Sequence, residues 1–166
     1  RSPWRRPAGH TGMSPRVILQ EITRDTVGAV IRLAVHPDQR GFVATNAESL
    51  AQALFSDEAW YRAIHAGDEL VGFVMLSDET LKARPPAEPR VALWRLMIDA
   101  RHQRRGIGRE VIRLVAGYAR GRPGIRRLYT SYVPGPGGPG PFYLGLGFQT
   151  TGELDEGEVV VACDLG

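Results

Sequence analysis

The sequence has almost none of the residues that cross-link a chain or anchor it in a membrane. Cys163 is the single cysteine, so no disulfide can form within the chain, and a reducing compartment is compatible with it. It lies in the apolar alternation VVVACDL, which favours a small core residue over a nucleophile. No apolar stretch approaches membrane-spanning length, and the start RSPWRRPAGHTG lacks the apolar run of a secretory signal. We therefore expect a soluble, cytoplasmic protein with no membrane contact and no metal site.

Lysine is also nearly absent, because Lys82 is the only one. Arginine carries the positive charge, and between Arg101 and Arg127 nine arginines face one acidic residue, a net charge of +8. The remainder has twelve basic and seventeen acidic residues, a net charge of −5. A basic segment of this kind can bind nucleic acid or a compact polyanion. Tyr118 is the only aromatic residue in it, which argues against a groove for single-stranded nucleic acid and favours a small phosphorylated ligand.

The length of 166 residues suits one domain with its own hydrophobic core. Met13 is a natural start, so residues 1–12 are interpreted as an N-terminal extension or a remnant of cloning. The hydrophobic pattern predicts a mixed α/β order. Strands are predicted at VILQEI, in the hairpin YRAIHAGDELVGFVMLS, at VALWRLMID, at IRRLYTSYV and at EVVVACDL.

Three helices are predicted between these strands. Asp25 and Asn46 are the predicted N-caps of the first two, the second running towards Trp60, and Gly106 begins the third. The prolines of TLKARPPAEPR and the eight glycines and prolines of VPGPGGPGP predict loops. FYLGLGF is expected to form a helical turn at most.

Residues 101–110, RHQRRGIGRE, join a predicted strand to the third helix. Gly106 and Gly108 leave backbone N–H groups open to an oxyanion, which the helix dipole and the flanking arginines also favour. A Walker A loop is excluded because no Gly-Lys-Ser/Thr follows. The dinucleotide-binding fingerprint is also excluded, because Val111 occupies the position of its third glycine. The pattern fits a pyrophosphate, and an ordinary strand-to-helix turn is the alternative.

The segment Gln103–Gly108, QRRGIG, matches the Gln/Arg-x-x-Gly-x-Gly/Ala signature of the GNAT acetyltransferases, and FYLGLGF resembles their Phe-Tyr-x-x-x-Gly-Phe segment. The resemblance covers residues 17–165. FVATNAESLAQALF, LVGFVMLSD, WRLMID and TGELDEGEVV are most similar to the spermidine/spermine, or polyamine, acetyltransferase branch. It implies a single N-acetyltransferase domain at residues 13–166, with a mixed, mostly antiparallel sheet flanked by helices. Within that sheet the strands at 91–99 and 125–132 are expected to be parallel and splayed apart.

The resemblance also implies acetyl-CoA as the co-substrate, with its pyrophosphate on the amides of the signature loop and its pantetheine arm along the preceding strand. The implied binding residues are Met97, Ile98, Gln103, Arg104, Arg105, Gly106, Ile107, Gly108 and Arg109. Pro136 and Pro139 depart from the asparagine and alanine that many members carry there. Proline disrupts a helix interior, so the helix near Tyr143 is expected to be short and its cofactor contacts to be altered.

By the same resemblance Tyr143 is the general acid for the departing thiolate, and its reference pKa near 10 lies above that of a thiol. A buried aromatic packed against Phe148 is the alternative. The acetyl carbonyl would be polarised by a strand amide near Ile98. The general base is not identified, because Asp99 is predicted to cap the turn into the arginine loop and no histidine has a partner pattern.

The acidic remainder of the chain suits a cationic acceptor. The candidate acceptor-binding residues are Glu48 and an acidic cluster near the last strand, in which Asp155 and Glu156 stand between Glu153 and Glu158. A solvated acidic turn is the alternative for the cluster. The sequence thus favours an acetyl-CoA-dependent transferase acting on a primary amine of a small cationic substrate, with polyamines as the named candidates. A protein or peptide acetyltransferase and a non-catalytic acetyl-CoA-binding or nucleic-acid-binding module are the alternatives, and a homodimer is left open.

Overall fold

The computed structural model describes residues 15–166, so the predicted extension at 1–12 and Met13 lie outside the described residues. Seven strands form one sheet in the order β1-β2-β3-β4-β5-β7-β6. They are β1 Val17–Gln20, β2 Ala59–Ala66, β3 Glu69–Asp78, β4 Val91–Ile98, β5 Arg127–Tyr132, β6 Gln149–Asp155 and β7 Glu158–Asp164. Neighbours pair antiparallel except for β4 and β5, which are parallel. The predicted mixed, mostly antiparallel sheet is confirmed.

Helices cover both faces of this sheet. They are α1 Val27–Arg32, α2 Asn46–Ala53, α3 Ile107–Arg120 and α4 Gly140–Gly145. The interior strand β3 contributes to a core on each face, because successive side chains of a strand point to opposite sides. Phe73 and Met75 join the core shared with α1 and α2, while Val74 and Leu76 join the core beneath α3. One sheet with two apolar faces therefore accounts for the almost uninterrupted hydrophobic run in β3.

Strands β4 and β5 stay together over a very short distance. Their pairing covers residues 91–93 and 128–130, and each strand continues beyond that point without the other. Where they separate, Thr130 Oγ1 donates a buried hydrogen bond of 3.1 Å to the carbonyl oxygen of Leu93. A β-bulge at Trp94, the extra residue between the pairs formed by Leu93 and Arg95 with β3, lies just past this bond. The splayed parallel pair predicted from the sequence is therefore present.

Two predicted helix caps were wrong by one residue. Thr45, rather than Asn46, caps α2, and its Oγ1 accepts a hydrogen bond of 3.2 Å from the Glu48 N–H. Asn46 is instead buried and donates from Nδ2 to the Val30 carbonyl at 2.9 Å, which joins α2 to α1. Thr26, rather than Asp25, precedes α1.

The end of one helix and the presence of one strand also differ from the sequence predictions. Trp60 belongs to β2, because α2 ends at Ala53. Strand β6 was not predicted, because it is an exposed edge strand with mostly polar side chains and lacks the buried alternation that identifies a strand in sequence.

Two glycines should respond in opposite directions to alanine. A Cβ at Gly72 would collide with the backbone oxygen of Met97, so Gly72→Ala must displace β4 and is expected to lower the free energy of unfolding by about 1–3 kcal/mol. A Cβ at Gly117, inside α3, meets nothing within 4 Å, so Gly117→Ala is expected to raise it by about 0.5–1 kcal/mol. Denaturant unfolding of the two variants checks both signs. Equal effects would contradict the close approach of β3 and β4.

Candidate functional site

The separation of β4 and β5 opens a cleft of about 730 Å³, a size typical of small-molecule sites. Its walls come from β4, β5, the loop and helix after β4, the segment before α4, and residues 39–44 between α1 and α2. Most of the predicted site residues line it: Glu48, Met97, Ile98, Gln103, Arg104, Gly106, Ile107, Gly108, Arg109 and Tyr143. Arg105, Asp155 and Glu156 are outside the cleft lining.

One end of the cleft is a loop built to present backbone N–H groups. Arg104 and Gly106 both take the left-handed conformation, with φ of 60° and 75°. Within residues 15–166, the N–H groups of 104–109 donate no hydrogen bond to the protein. They surround the start of α3, a helix of 14 residues whose dipole adds partial positive charge there. Open amides, a helix N-terminus and arginines together fit a pyrophosphate.

Side chains behind this loop fix its position. Gln103 donates from Nε2 to the Ile98 carbonyl at 2.9 Å and exchanges amide hydrogen bonds with Gln39 at 2.8 and 3.1 Å. Asp99 accepts from the N–H groups of Ala34 and Arg101 and from the Arg101 guanidinium, so the predicted cap is confirmed. Burial alone would raise the pKa of Asp99, but these hydrogen bonds outweigh it and hold the pKa below its usual value.

Gly108 permits a close contact at the same end of the cleft. A Cβ at this position would lie 3.3 Å from Cζ of Phe142, so a larger residue would push against that ring. Met97 and Ile98 have side chains in the two cores, and Met97 is only 5% exposed. These two residues can therefore contact a ligand mainly through the backbone edge of β4, which faces the gap between β4 and β5.

Tyr143 lies on α4 and is 7% exposed. Its ring is 5.3 Å from Phe142, 5.6 Å from Phe148 and 6.3 Å from Tyr132 between centroids. Burial raises the pKa of Tyr143 to about 12, the Thr130 hydroxyl partly opposes this, and the charge of Glu158 adds to it. The phenol is thus a packed aromatic and a protonated donor beside the cleft at the same time. Helix α4 has six residues and begins after Pro139, in line with the expected short helix.

The other end of the cleft carries charges of both signs. Glu48 of α2, Arg95 of β4 and Glu158 of β7 all line it. Glu158 Oε2 accepts a hydrogen bond of 2.5 Å from Ser131 Oγ. Glu48 is a candidate predicted from the sequence, Glu158 is predicted only as one member of the acidic cluster near the last strand, and Arg95 was not predicted. A lone arginine within the apolar strand WRLMI was the available signal for Arg95, whereas Glu158 was only one of several acidic residues near the last strand.

Arg95 has unusual surroundings for a half-buried cation. Its Nη1 donates to the Trp94 carbonyl at 3.0 Å and its Nη2 to Gln52 Oε1 at 3.2 Å, and both acceptors are neutral. Its Nε is buried and has no hydrogen-bond partner within the described part of the chain. Burial lowers the pKa of Arg95, and the charges of Glu158 and Glu48 partly oppose this effect.

Asp155 and Glu156 lie at the exposed turn between β6 and β7. Neighbouring Glu153 is engaged in a two-pronged ion pair with Arg90, with N–O distances of 2.9 and 3.1 Å. The exposed position of Asp155 and Glu156 matches the solvated acidic turn, which is the alternative predicted from the sequence. Within residues 15–166 no group of three or more His, Cys, Asp or Glu side chains could hold a metal ion. In the same range, no helix combines the length and apolarity needed to cross a membrane.

Comparison with known proteins agrees with this geometry. The model of the acetyltransferase (GNAT) family matches residues 44–135. The chain is 27% identical over 151 residues to a spermine/spermidine N(1)-acetyltransferase of Bacillus subtilis (strain 168), an alignment that covers 89% of this chain and 97% of that protein.

Similar solved structures support the same assignment of fold. An acetyltransferase from Thermus thermophilus has a TM-score of 0.65 at 22% identity and covers 92% of this chain and 99% of its own. The GNAT domain of S. lividans PAT has a TM-score of 0.68 at 19% identity and covers 90% of each chain. At these identities the structural likeness speaks for the fold.

Proposed function

The chain belongs to the acetyltransferase (GNAT) family, and on that basis we propose that it acetylates a primary amine of a small cationic molecule bound between β4 and β5. Enzymes of this family are acyltransferases that use acetyl-CoA. The observation that carries the proposal is the polarity of the cleft. Open amides and arginines lie at one end, and the carboxylates of Glu48 and Glu158 lie at the other.

The amide-rich end fits the donor. The N–H groups of residues 104–109 would hold the pyrophosphate, because they are free of protein acceptors and converge at the start of α3. Glycine at 106 provides the left-handed turn, and glycine at 108 keeps the approach clear beside Phe142. The edge of β4 after Leu93 would pair with the pantetheine arm, since it has no strand beside it there. Arg105 contributes charge from outside the lining.

The chemistry requires a proton donor, a proton acceptor and a polarising group. When bound, acetyl-CoA supplies a thioester whose carbonyl can be attacked by an amine. Tyr143 would hold the proton for the sulfur that leaves, because its pKa of about 12 keeps the phenol protonated at neutral pH. Glu158 is the best-placed carboxylate to accept the proton that the amine releases, directly or through water, because it lines the cleft within electrostatic reach of Tyr143. An N–H group of β4 near Ile98 would polarise the carbonyl.

Among cationic amines, polyamines have the support of the Bacillus relative, whose name gives spermine and spermidine as its substrates. Two cleft carboxylates also suit an acceptor with more than one amine. A thiol-release assay over a panel of amines tests the proposal. Turnover with small di- and polyamines is expected to exceed that with a monoamine of equal length and with peptide N-termini. Preferred turnover of peptides would assign the cleft to a protein substrate, and no turnover with any amine would refute the proposal.

The acidic residues of the cleft and those of the exposed turn can be compared by charge-neutral substitution. We expect Glu48→Gln combined with Glu158→Gln to lower kcat/KM for diamines by about tenfold to hundredfold, because hydrogen bonds to charged groups contribute about 1.5–3 kcal/mol. Asp155→Asn combined with Glu156→Gln removes two carboxylates from the exposed turn and is the matched control. Steady-state kinetics at two salt concentrations should show a loss in the first pair alone. A loss of kcat/KM confined to the Asp155→Asn, Glu156→Gln variant would assign acceptor binding to the exposed turn instead of the cleft.

A further inference from the structure

We propose that Arg95 binds a carboxylate of the acceptor, so that the preferred substrate is an amine that also carries an acid group, in the manner of a basic amino acid. The inference rests on the proposed function, because it specifies the molecule that occupies the acceptor end of the cleft. It gives a role to Arg95, a cation near Glu48 and Glu158 that the acetyl-transfer chemistry leaves unused.

The charge of Arg95 is not neutralised at close range. Among the described residues no carboxylate oxygen lies within 4.0 Å of its guanidinium nitrogens, and its hydrogen bonds go to a backbone carbonyl and a side-chain amide. The guanidinium is nevertheless half-buried, and one of its N–H groups is enclosed without an acceptor. Burying a cation without a counter-charge has a cost that a bound anion would offset.

The protein also holds the Arg95 side chain in position. Trp94 and Gln52 hold the two ends of the guanidinium through hydrogen bonds, and the Trp94 ring lies 5.7 Å from its carbon. The bulge in β4 supports this arrangement by bringing Arg95 opposite Met75, on the face of the sheet covered by α1 and α2. Arginine that is fixed in this way is suited to recognising a planar carboxylate.

The charges at the acceptor end of the cleft complement those of a diamino acid. Arg95 lies within electrostatic reach of both Glu48 and Glu158, so two carboxylates and a guanidinium meet at the acceptor end. A diamino acid such as lysine or ornithine has two amines and one carboxylate. Its amines can therefore pair with the two carboxylates of the protein, and its carboxylate can pair with the guanidinium. A diamine would satisfy Glu48 and Glu158 but would leave Arg95 unpaired beside a second cation.

Matched substrates isolate the carboxylate. Lysine is 1,5-diaminopentane with one added carboxylate, and ornithine bears the same relation to 1,4-diaminobutane. We expect the wild-type protein to favour each amino acid over its diamine by about tenfold to hundredfold in kcat/KM, as for one charged hydrogen-bonded pair. Arg95→Met keeps the length and bulk of the side chain and is expected to bring that ratio close to one. Arg127→Met removes an exposed arginine outside the cleft lining and should leave the ratio unchanged.

Each outcome bears on the proposal. Equal or better turnover of the diamines by the wild type, including a preference for spermidine, would overturn the role of Arg95 and leave the acetyltransferase proposal standing. An unchanged ratio in Arg95→Met, with acetyl-CoA affinity intact by calorimetry as evidence of folding, would also overturn it. If no amine is turned over, the proposed function fails. Calorimetric binding of lysine against 1,5-diaminopentane to wild type and Arg95→Met then decides the inference by itself.

Discussion

Gly106→Glu is expected to reduce acetyl-CoA binding below detection. Gly106 has a φ of 75°, which a side chain adopts only with strain, and it lies among the free N–H groups of the donor end. Glutamate would strain the turn, fill the approach and place a negative charge where a pyrophosphate is expected. Isothermal titration calorimetry with acetyl-CoA measures the effect. Arg105→Ala should weaken binding much less, by about 1 kcal/mol or below, because an exposed ion pair contributes little.

Gly124→Glu is the matched control for this variant. Gly124 also has a φ of 75° and open space around it, but it follows α3 on an exposed loop outside the cleft lining. The two variants share the same backbone strain and the same added charge, so a difference in affinity between them must come from the location. Unchanged affinity in Gly106→Glu, or an equal loss in both, would contradict the assignment of residues 104–109 to the donor.

Tyr143→Phe is expected to lower kcat by about 100-fold or more while acetyl-CoA affinity stays close to that of the wild type. The phenol ring packs against Phe142 and Phe148, and phenylalanine preserves that packing. The lost hydroxyl acts only when negative charge develops on sulfur. Pre-steady-state and steady-state rates, together with calorimetry, separate the two effects.

Two further measurements define the role of Tyr143. Tyr132→Phe removes a neighbouring hydroxyl from the ring stacked on Tyr143 and should cost much less. Because burial raises the pKa of Tyr143 to about 12, its acid form persists from neutral to moderately alkaline pH, and loss of rate from its ionisation begins only as pH approaches that value. A Tyr143→Phe rate within about twofold of wild type would make the residue a packing aromatic, contrary to a general acid.

The parts of the fold that the sequence predicted are those in which local pattern and tertiary environment agree. Helix α3 has a clear apolar side and has Gly106 as its N-cap, so its start could be predicted to within one residue. Strand β6 could not, because an edge strand with exposed side chains carries no hydrophobic alternation and is defined by its hydrogen bonds to β7.

The candidate site divides in the same way. Backbone recognition at residues 104–109 leaves a sequence signature, because glycine is needed wherever the turn is left-handed or a ligand comes close. The acceptor end is made of side chains from α2, β4 and β7, which are distant in sequence and meet only in the folded chain. Asp155 and Glu156 resemble Glu158 in composition, but strand alternation and the turn between β6 and β7 place them outside the cleft lining.

The short contact between β4 and β5 makes any occupant of the cleft a structural component of the protein. Three residue pairs and the hydrogen bond from Thr130 to Leu93 join strands β1–β4 to strands β5–β7 at this point. Beyond them, backbone groups facing the gap lack a neighbouring strand and must find water or ligand. A donor that pairs with this edge would therefore act as an eighth, non-peptide strand, slowing amide hydrogen exchange across residues 94–98 and raising the melting temperature with its concentration.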